Sequence, residues 1–412
     1  MSMHMNRRDF VGTGLAASIG AAAPKWMGKT GINVTSEDFR SQFRRGGSRT
    51  YLNAAGMMPL GDFSRAGLKR FMEYQAGSED QLEYTREVRS GVRELFAGLV
   101  GAAETEIGLV HCTKAGEQIA LDGLAHEFAR GRGILTNDLH FAGSLNNLMG
   151  MKRTGVNVKV VRSQDWAVPA DLLIEAMDSS TALVAVSLVS NINGHVEDIR
   201  RITDAAHAHG ALVYADIIQA AGIVPLDLSE SGIDVAACSC YKWLYGVHGT
   251  GFVYVRKDIQ GARLRDKLFP GQARHNYQPW ISSPDSAADA LLYQAPTDAT
   301  RYQPGHPSYL GYCASYEGMK KLLEVGVEAA QAHSARLGQR LRDNLDADRY
   351  RCISPTASHI STFILDNPAA ARKAVSEANV VTSLSGSRLR VSTALFNTDE
   401  DVDQLADVLR TA

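Results

Sequence analysis

Short apolar runs alternate along this chain with stretches whose apolar residues recur at helical spacing. The runs include IGLVH (Ile107–His111), GRGILTND, VNVKVVRS, TALVAVSLVS and ALVYAD. Apolar runs of this length, bounded by Gly, Asn and Asp, predict buried strands, and the segments between them predict helices, among them residues 169–178 and Ile199–His209. Repeated βα units predict an α/β fold whose large domain has a mostly parallel sheet flanked by helices. Residues 62–100, with EYTREVRSGVRELFAGLVG, carry the period of surface helices. From Gly318 the pattern changes: a long helix, the strand STFIL, the helix PAAARKAVSEA, the run RLRVSTAL and a last helix after NTDED predict a small C-terminal α/β domain. The expected organisation is a large domain over 50–317 and a small one over 318–412, joined by part of 32–49.

Composition narrows the ligands. At 412 residues, 45% of them apolar, the chain is long enough for one large domain and a smaller one. Forty-three basic side chains against 45 acidic ones give a formal charge of −2. That balance calls for neither nucleic acid nor an anionic membrane and leaves small molecules as partners. The five cysteines, Cys112, Cys238, Cys240, Cys313 and Cys352, are odd in number and scattered, which fits neither a disulfide framework nor a zinc site. His207 and His209 stand two apart on an expected helix, so they face different ways and suit its C-terminal end better than a metal.

The N-terminus reads as an address. MNRRDFVGTGLAASIGAAAPK pairs Arg7 and Arg8 ahead of a short, weakly apolar run, with Ala21 and Ala23 in the small-x-small pattern that precedes cleavage. Residues 1–23 are expected to be a twin-arginine signal peptide, which would export an already folded protein, to the periplasm for example. The run is too short and too rich in Gly and Ala to cross a bilayer.

Chemistry enters between Ala211 and Val255. ALVYAD ends on Asp216, and Lys242 follows 26 residues later beside Ser239, Tyr241 and a glycine-rich turn. An acid at a strand end holds a cofactor's ring nitrogen protonated, and a lysine at a second strand end binds an aldehyde as a Schiff base; together they suit pyridoxal 5'-phosphate (PLP). The same two residues also fit a satisfied strand acid and a surface lysine, so the neighbouring strand ends matter. Ligands in parallel sheets bind beyond the carboxyl ends of the strands. There, His140 and Phe141 follow ILTND, Ser190 and Asn191 follow ALVAVSLV, and Gln219 follows Asp216. Phe141 offers a flat face for a planar ring, and Asn191 and Gln219 offer uncharged hydrogen bonds to a phenolic oxygen. After Ile107–His111, Thr113, Lys114, Ala115 and Gly116 open a helix whose free amides make a phosphate cradle. The loop after Tyr51, rich in Asn, Ala, Gly and Pro, is free to line a site.

SNINGHVEDIRRITDAAHAHGALVYADIIQAAG, SCYKWLYGVHGTGFVYV, RYQPGHPSY and RLRVSTALFNTDEDVDQLADVL together resemble the class V aminotransferase family of PLP fold type I. That family includes cysteine desulfurases, selenocysteine lyases, isopenicillin N epimerase and, more distantly, kynureninase. The resemblance runs from about Tyr51 to the C-terminus. It implies Lys242 as the Schiff-base lysine, Asp216 at the pyridine nitrogen, Gln219 and Asn191 near the phenolic oxygen, and Phe141 over the ring. It implies Ser239, Tyr241 and the Ala115–Gly116 amides at the phosphate, the last two standing where many relatives have Thr. His306 falls where relatives have a Thr that reaches the neighbouring subunit's phosphate, which implies a homodimer, and Arg390 matches the arginine that clamps a substrate carboxylate.

One departure bears on the reaction. Desulfurases of this type carry a nucleophilic cysteine shortly before that arginine, whereas residues 375–389, VSEANVVTSLSGSRL, contain none. The resemblance therefore implies a PLP-dependent transferase acting on an amino acid or related amine, with an aminotransferase expected first. Epimerisation, or C–S/β-elimination without a desulfurase-type cysteine, stays open, as does a catalytically silent PLP-binding protein.

Overall fold

The computed structural model describes residues 36–43, 49–266 and 296–411, and the expected signal peptide lies outside the described residues. Among these, seven strands form the main sheet: β1 (Ile107–Val110), β2 (Gly133–Asn137), β3 (Val158–Val161), β4 (Thr181–Ser187), β5 (Leu212–Asp216), β6 (Val235–Ser239) and β7 (Gly251–Val255). Their order is β1-β7-β6-β5-β4-β2-β3. Only β7 runs against the others, pairing antiparallel with both β1 and β6, so the sheet is mixed but mostly parallel. The expected helices appear as Ala170–Ala176 and Ile199–Ala208, and residues 62–100 hold helices Asp62–Gln75 and Leu82–Val100 around a short 3-10 turn.

Side chains alternate across each strand, and both faces are covered. Ala215, Ala236, Cys238, Phe252 and Tyr254 face the helices Asp62–Gln75, Leu82–Val100 and Tyr309–Val325. Phe96 lies stacked on Phe252, ring centroids 4.0 Å apart. Ala185, Leu212, Tyr214, Ala237 and Val253 face the helix Thr113–Gly123. Burial of all these strands explains why their sequences read as unbroken apolar runs.

A second, antiparallel sheet follows: β8 (Tyr350–Cys352), β9 (Ile360–Leu365), β10 (Ser383–Ser385) and β11 (Arg388–Ser392), in the order β10-β11-β9-β8. Phe363, Leu365, Leu389 and Val391 pack under helices Val327–Asp343, Pro368–Glu377 and Asp399–Arg410. Thr362 and Arg390, on the opposite face, reach the chain just past β4, where Thr362 Oγ1 donates to the Ile192 carbonyl at 2.8 Å. Thr50–Tyr51 pairs in parallel with Val380–Val381, tying the start of the described chain to this unit. Residue 318 lies in the middle of the continuous helix Tyr309–Val325, which packs on Asp62–Gln75, so the change of sequence character falls inside a helix instead of a linker.

That helix approaches the Lys242 turn closely enough to require glycine. A Cβ on Gly318 would sit 2.5 Å from the Leu244 carbonyl oxygen. Gly318→Ala is expected to lower stability by ~1–3 kcal/mol through overpacking. Gly91→Ala, on a helix where the new methyl meets nothing nearer than 3.6 Å, should be neutral or gain up to ~1 kcal/mol from helix propensity. Urea-unfolding midpoints of the two variants check this; equal losses in both would contradict it.

Candidate active site

Three main-sheet strands end on polar residues that face the same side. Ser187 and Asp216 are register partners on β4 and β5, and Ser239 ends β6. By alternation all three point to the face covered by helix Thr113–Gly123. Ser239 Oγ accepts from the Thr113 amide at 2.8 Å, and the Ser239 amide donates to Thr113 Oγ1 at 2.9 Å. The strand end and the helix N-terminus are thereby locked together, with the helix's positive end directed at the site. The Ala115 and Gly116 amides, expected to be free for a phosphate, both donate instead to the Cys112 carbonyl, at 3.0 and 3.3 Å, because the first turn of the helix closes on it. Glycine at 116 has a packing reason, since a Cβ there would stand 2.4 Å from Ala237 Cβ.

Lys242 lies three residues beyond Ser239 in a tight turn. The Tyr245 amide donates to the Lys242 carbonyl at 2.9 Å, and Gly246 to Cys240 at 2.9 Å. Tyr245 adopts a left-handed φ of 53°, strained for a bulky residue. Its ring is held by Phe39, Phe43 and Phe63, and its carbonyl accepts from Ser64 Oγ at 2.7 Å. The result is a lysine side chain only 6% exposed. Its ammonium has no hydrogen bond and no ion pair within 4.0 Å among the described residues. Burial pushes its pKa down to about 8, with Asp216 opposing that shift and Arg390 adding to it. Asp216 is buried as well and accepts from the Ile218 amide at 2.9 Å. Burial pushes its carboxyl up, against the pull of that amide, His140 and Lys242.

The loop after Tyr51 joins these parts. Asn53 Oδ1 accepts from Arg390 Nη2 at 3.1 Å, the Ala55 carbonyl from Gln219 Nε2 at 3.0 Å, and the Met58 amide donates to the Tyr241 carbonyl at 3.0 Å. Arg390 Nη1 donates to the Asn191 carbonyl at 2.8 Å, while its Nε is buried without a partner. Burial and the nearby Arg388 push the Arg390 guanidinium down in pKa. Gln219 is fixed from its other end by Trp243 Nε1, which donates to its Oε1 at 2.9 Å, leaving one amide hydrogen free. Tyr241 stacks on His248 at 4.0 Å.

The structure thus brings Ser239, Tyr241, Lys242, Asp216, Gln219, Asn191 and Arg390 into one connected neighbourhood. Phe141 is 43% exposed at the start of helix Ala142–Arg153. His306 is exposed and makes no hydrogen bond or ion pair among the described residues. Asn53 and Glu117 are the residues that sequence reasoning missed: the loop was legible as a loop, but nothing marked its asparagine, and Glu117 reads as an ordinary helix acid. His140, noted at its strand end, is the member of the His140–Phe141 pair whose charge acts on Asp216.

These residues fit PLP. A buried amine without a partner, a buried acid at a strand end, a hydroxyl-locked helix N-terminus and an unsatisfied guanidinium nitrogen match the cofactor's aldehyde, ring nitrogen and phosphate and a substrate's carboxylate. The sequence profile described as Aminotransferase class-V matches residues 74–405, so the chain belongs to that family of PLP-dependent, α/β fold type I enzymes. A probable cysteine desulfurase of Methanothermobacter thermautotrophicus is 31% identical over 237 residues, 56% of this chain and 58% of the relative. An uncharacterized aminotransferase, YcbU, of Bacillus subtilis is 27% identical over 58% of this chain and 60% of the relative. The chain therefore spans less than two thirds of these relatives' length. The crystal structure of the Escherichia coli cysteine desulfurase CsdA superposes with a TM-score of 0.78 at 22% identity, covering 92% of this chain and 98% of the other, which shows the shared fold.

Lys242 sets a pH dependence. Because burial holds its pKa near 8, the neutral amine becomes the main form as pH rises through that value. PLP uptake by the apoprotein, followed by visible absorbance, should accelerate from pH 7 to 9 and level off above. In Asp216→Asn the loss of the neighbouring negative charge should move this midpoint to lower pH. A rate flat across the range, or a midpoint displaced upward, would contradict the assignment.

Proposed function

We propose that this PLP-dependent enzyme acts on an α-amino acid as an aminotransferase. The observation that carries the reading is one buried lysine whose ammonium, over the Tyr241 ring at 5.6 Å, has neither hydrogen bond nor ion pair among the described residues, while the charges of Asp216 and Arg390 both act on it. PLP, when bound, supplies an electrophilic aldehyde and a ring that accepts electrons. Asp216 holds that ring's nitrogen protonated. Arg390, already aimed by Asn53 and the Asn191 carbonyl, binds the substrate carboxylate. Lys242, its pKa lowered by burial to about 8, would attach the cofactor and then carry a proton to and from the substrate's α-carbon. Tyr241, stacked on His248, sets its ring 5.6 Å from that amine. His306, exposed on its loop, suits a contact with a second copy of the chain, and a homodimer belongs to the same proposal.

A second reading is C–S cleavage by β-elimination, supported by relatives named as cysteine desulfurases. A desulfurase that stores sulfur on its own cysteine is disfavoured. Cys352 pairs with Phe363 on β9 and so lies with the Phe363–Leu389 side of the small sheet, away from Arg390.

Incubation with a panel of amino acids and a keto-acid acceptor separates the readings. Matching keto acid and new amino acid support transamination; pyruvate with sulfide from cysteine supports elimination; turnover of neither defeats both. Arg390→Ala should lower kcat/KM for α-amino acids by ~10–100-fold, the value of a lost charge-assisted hydrogen bond of ~1.5–3 kcal/mol. The corresponding amines, which lack the carboxylate, should be unaffected. Equal losses for both substrate types would remove Arg390 from the carboxylate site.

A further inference from the structure

Behind Asp216 lies a buried row of polar groups that the reaction as described does not use. Helix Thr113–Gly123 carries Glu117 into the interior, where its residue is 1% exposed. Lys114, one turn earlier, sets its Nζ 3.3 Å from Glu117 Oε2 and donates to the Gly143 carbonyl at 2.6 Å. His140, 0% exposed, points Nε2 at Glu117 Oε1 from 3.8 Å. Neither carboxylate oxygen nor this nitrogen is hydrogen-bonded. The Tyr214 hydroxyl, on the same face of β5 as Asp216, is buried and partnerless too. Burial raises the Glu117 carboxyl, but His140, Lys114 and Ser144 outweigh it and hold the group ionised.

Ser187 fixes the other end of the row. Its Oγ accepts from the Phe141 amide at 3.2 Å and lies 2.9 Å from His140 Nδ1. Ser187 Oγ can donate to Nδ1 or accept from it, and the Glu117 carboxylate opposite Nε2 favours the proton on Nε2. A proton on His140 Nε2, turned to Glu117, leaves Nδ1 to Ser187. Ser187 is also the register partner of Asp216. Burying a carboxylate is costly, and Lys114 at 3.3 Å and His140 at 3.8 Å are the charged and titratable groups that face it.

We propose that Glu117 is a positioning residue of the active site: its carboxylate, anchored by Lys114, fixes the tautomer and orientation of His140 and thereby sets the field at Asp216 where the cofactor's ring nitrogen binds. The inference rests on the assignment of Asp216 to that nitrogen, and on a carboxylate and an imidazole held by separate elements.

The test uses Glu117→Gln, which keeps shape and removes charge. Imidazole nitrogen shifts of His140, read by NMR on histidine-labelled apoprotein, should show the Nε2-protonated form in the wild type and a shift toward Nδ1 protonation in the variant. The Kd for PLP, from absorbance titration, should rise about tenfold. A variant that leaves Kd unchanged, with or without a change of tautomer, overturns the proposal and makes Glu117 a tie between helix and loop. Should Glu117→Gln not fold, Glu117→Asp carries the test. Drawing the carboxylate back by one methylene should move the Nε2 resonance and weaken PLP binding by a smaller factor, and unchanged values overturn the proposal. A wild type that does not bind PLP would instead defeat the assignment of Asp216, while the tautomer of His140 in the apoprotein would still be readable.

Discussion

A buried lysine and a buried aspartate act on each other without forming an ion pair, and much of the architecture exists to hold that arrangement. In water a lysine keeps its proton to well above pH 9, whereas burial brings the pKa of Lys242 down to about 8, so the neutral amine forms at mildly alkaline pH. A direct contact with Asp216 would restore the charge and consume the acid. The separation is maintained by backbone, because Asp216 is fixed by its position at the end of β5 and Lys242 by a turn whose Tyr245 accepts a left-handed conformation. Aromatic packing around Tyr245 from Phe39, Phe43 and Phe63 compensates for that strain, and Phe43 also touches Phe396 of the second sheet's region. Residues far apart in sequence are in this way committed to the conformation of one lysine.

The second commitment is to Arg390. A guanidinium with a buried, unpartnered nitrogen needs a preformed seat, and the seat is built from two loops instead of an opposing carboxylate. Using the Asn53 amide and the Asn191 carbonyl leaves the positive charge uncancelled, which is what recognition of an anionic substrate group requires. The same Asn53–Met58 segment also carries the Gln219 and Tyr241 contacts, so Arg390, the end of β5 and the Lys242 turn are linked through a few residues that pack by hydrogen bonds instead of bulk.

The strands of the main sheet were legible because burial on both faces erases polar alternation, and their ends coincide with the acids and amides that the sequence marks. The antiparallel course of β7 was not legible, since an apolar strand carries no sign of its direction. Lys242, Asp216 and Gln219 stood out by spacing and residue type, and they lie at or just past the carboxyl ends of adjacent main-sheet strands. Asn53 could not, because its role depends on a contact with Arg390, 337 positions away in the chain. Gly116 shows a related limit: a glycine in a helix-opening turn suggests a phosphate cradle, yet the structure gives it a steric reason in Ala237. The small unit was visible in its alternation of helix and strand, but Tyr309–Val325 runs unbroken through the point where the pattern changes and packs on the large-sheet helices Asp62–Gln75 and Leu82–Val100.

The central claim is that Lys242, among all the lysines of the chain, attaches the cofactor. Reduction of the PLP-loaded protein with borohydride, followed by proteolysis and mass spectrometry, fixes the attachment point covalently. A single pyridoxyl label on Lys242, absent from Lys242→Ala, is the predicted result. A label on any other lysine, or no label in the presence of excess PLP, would contradict it.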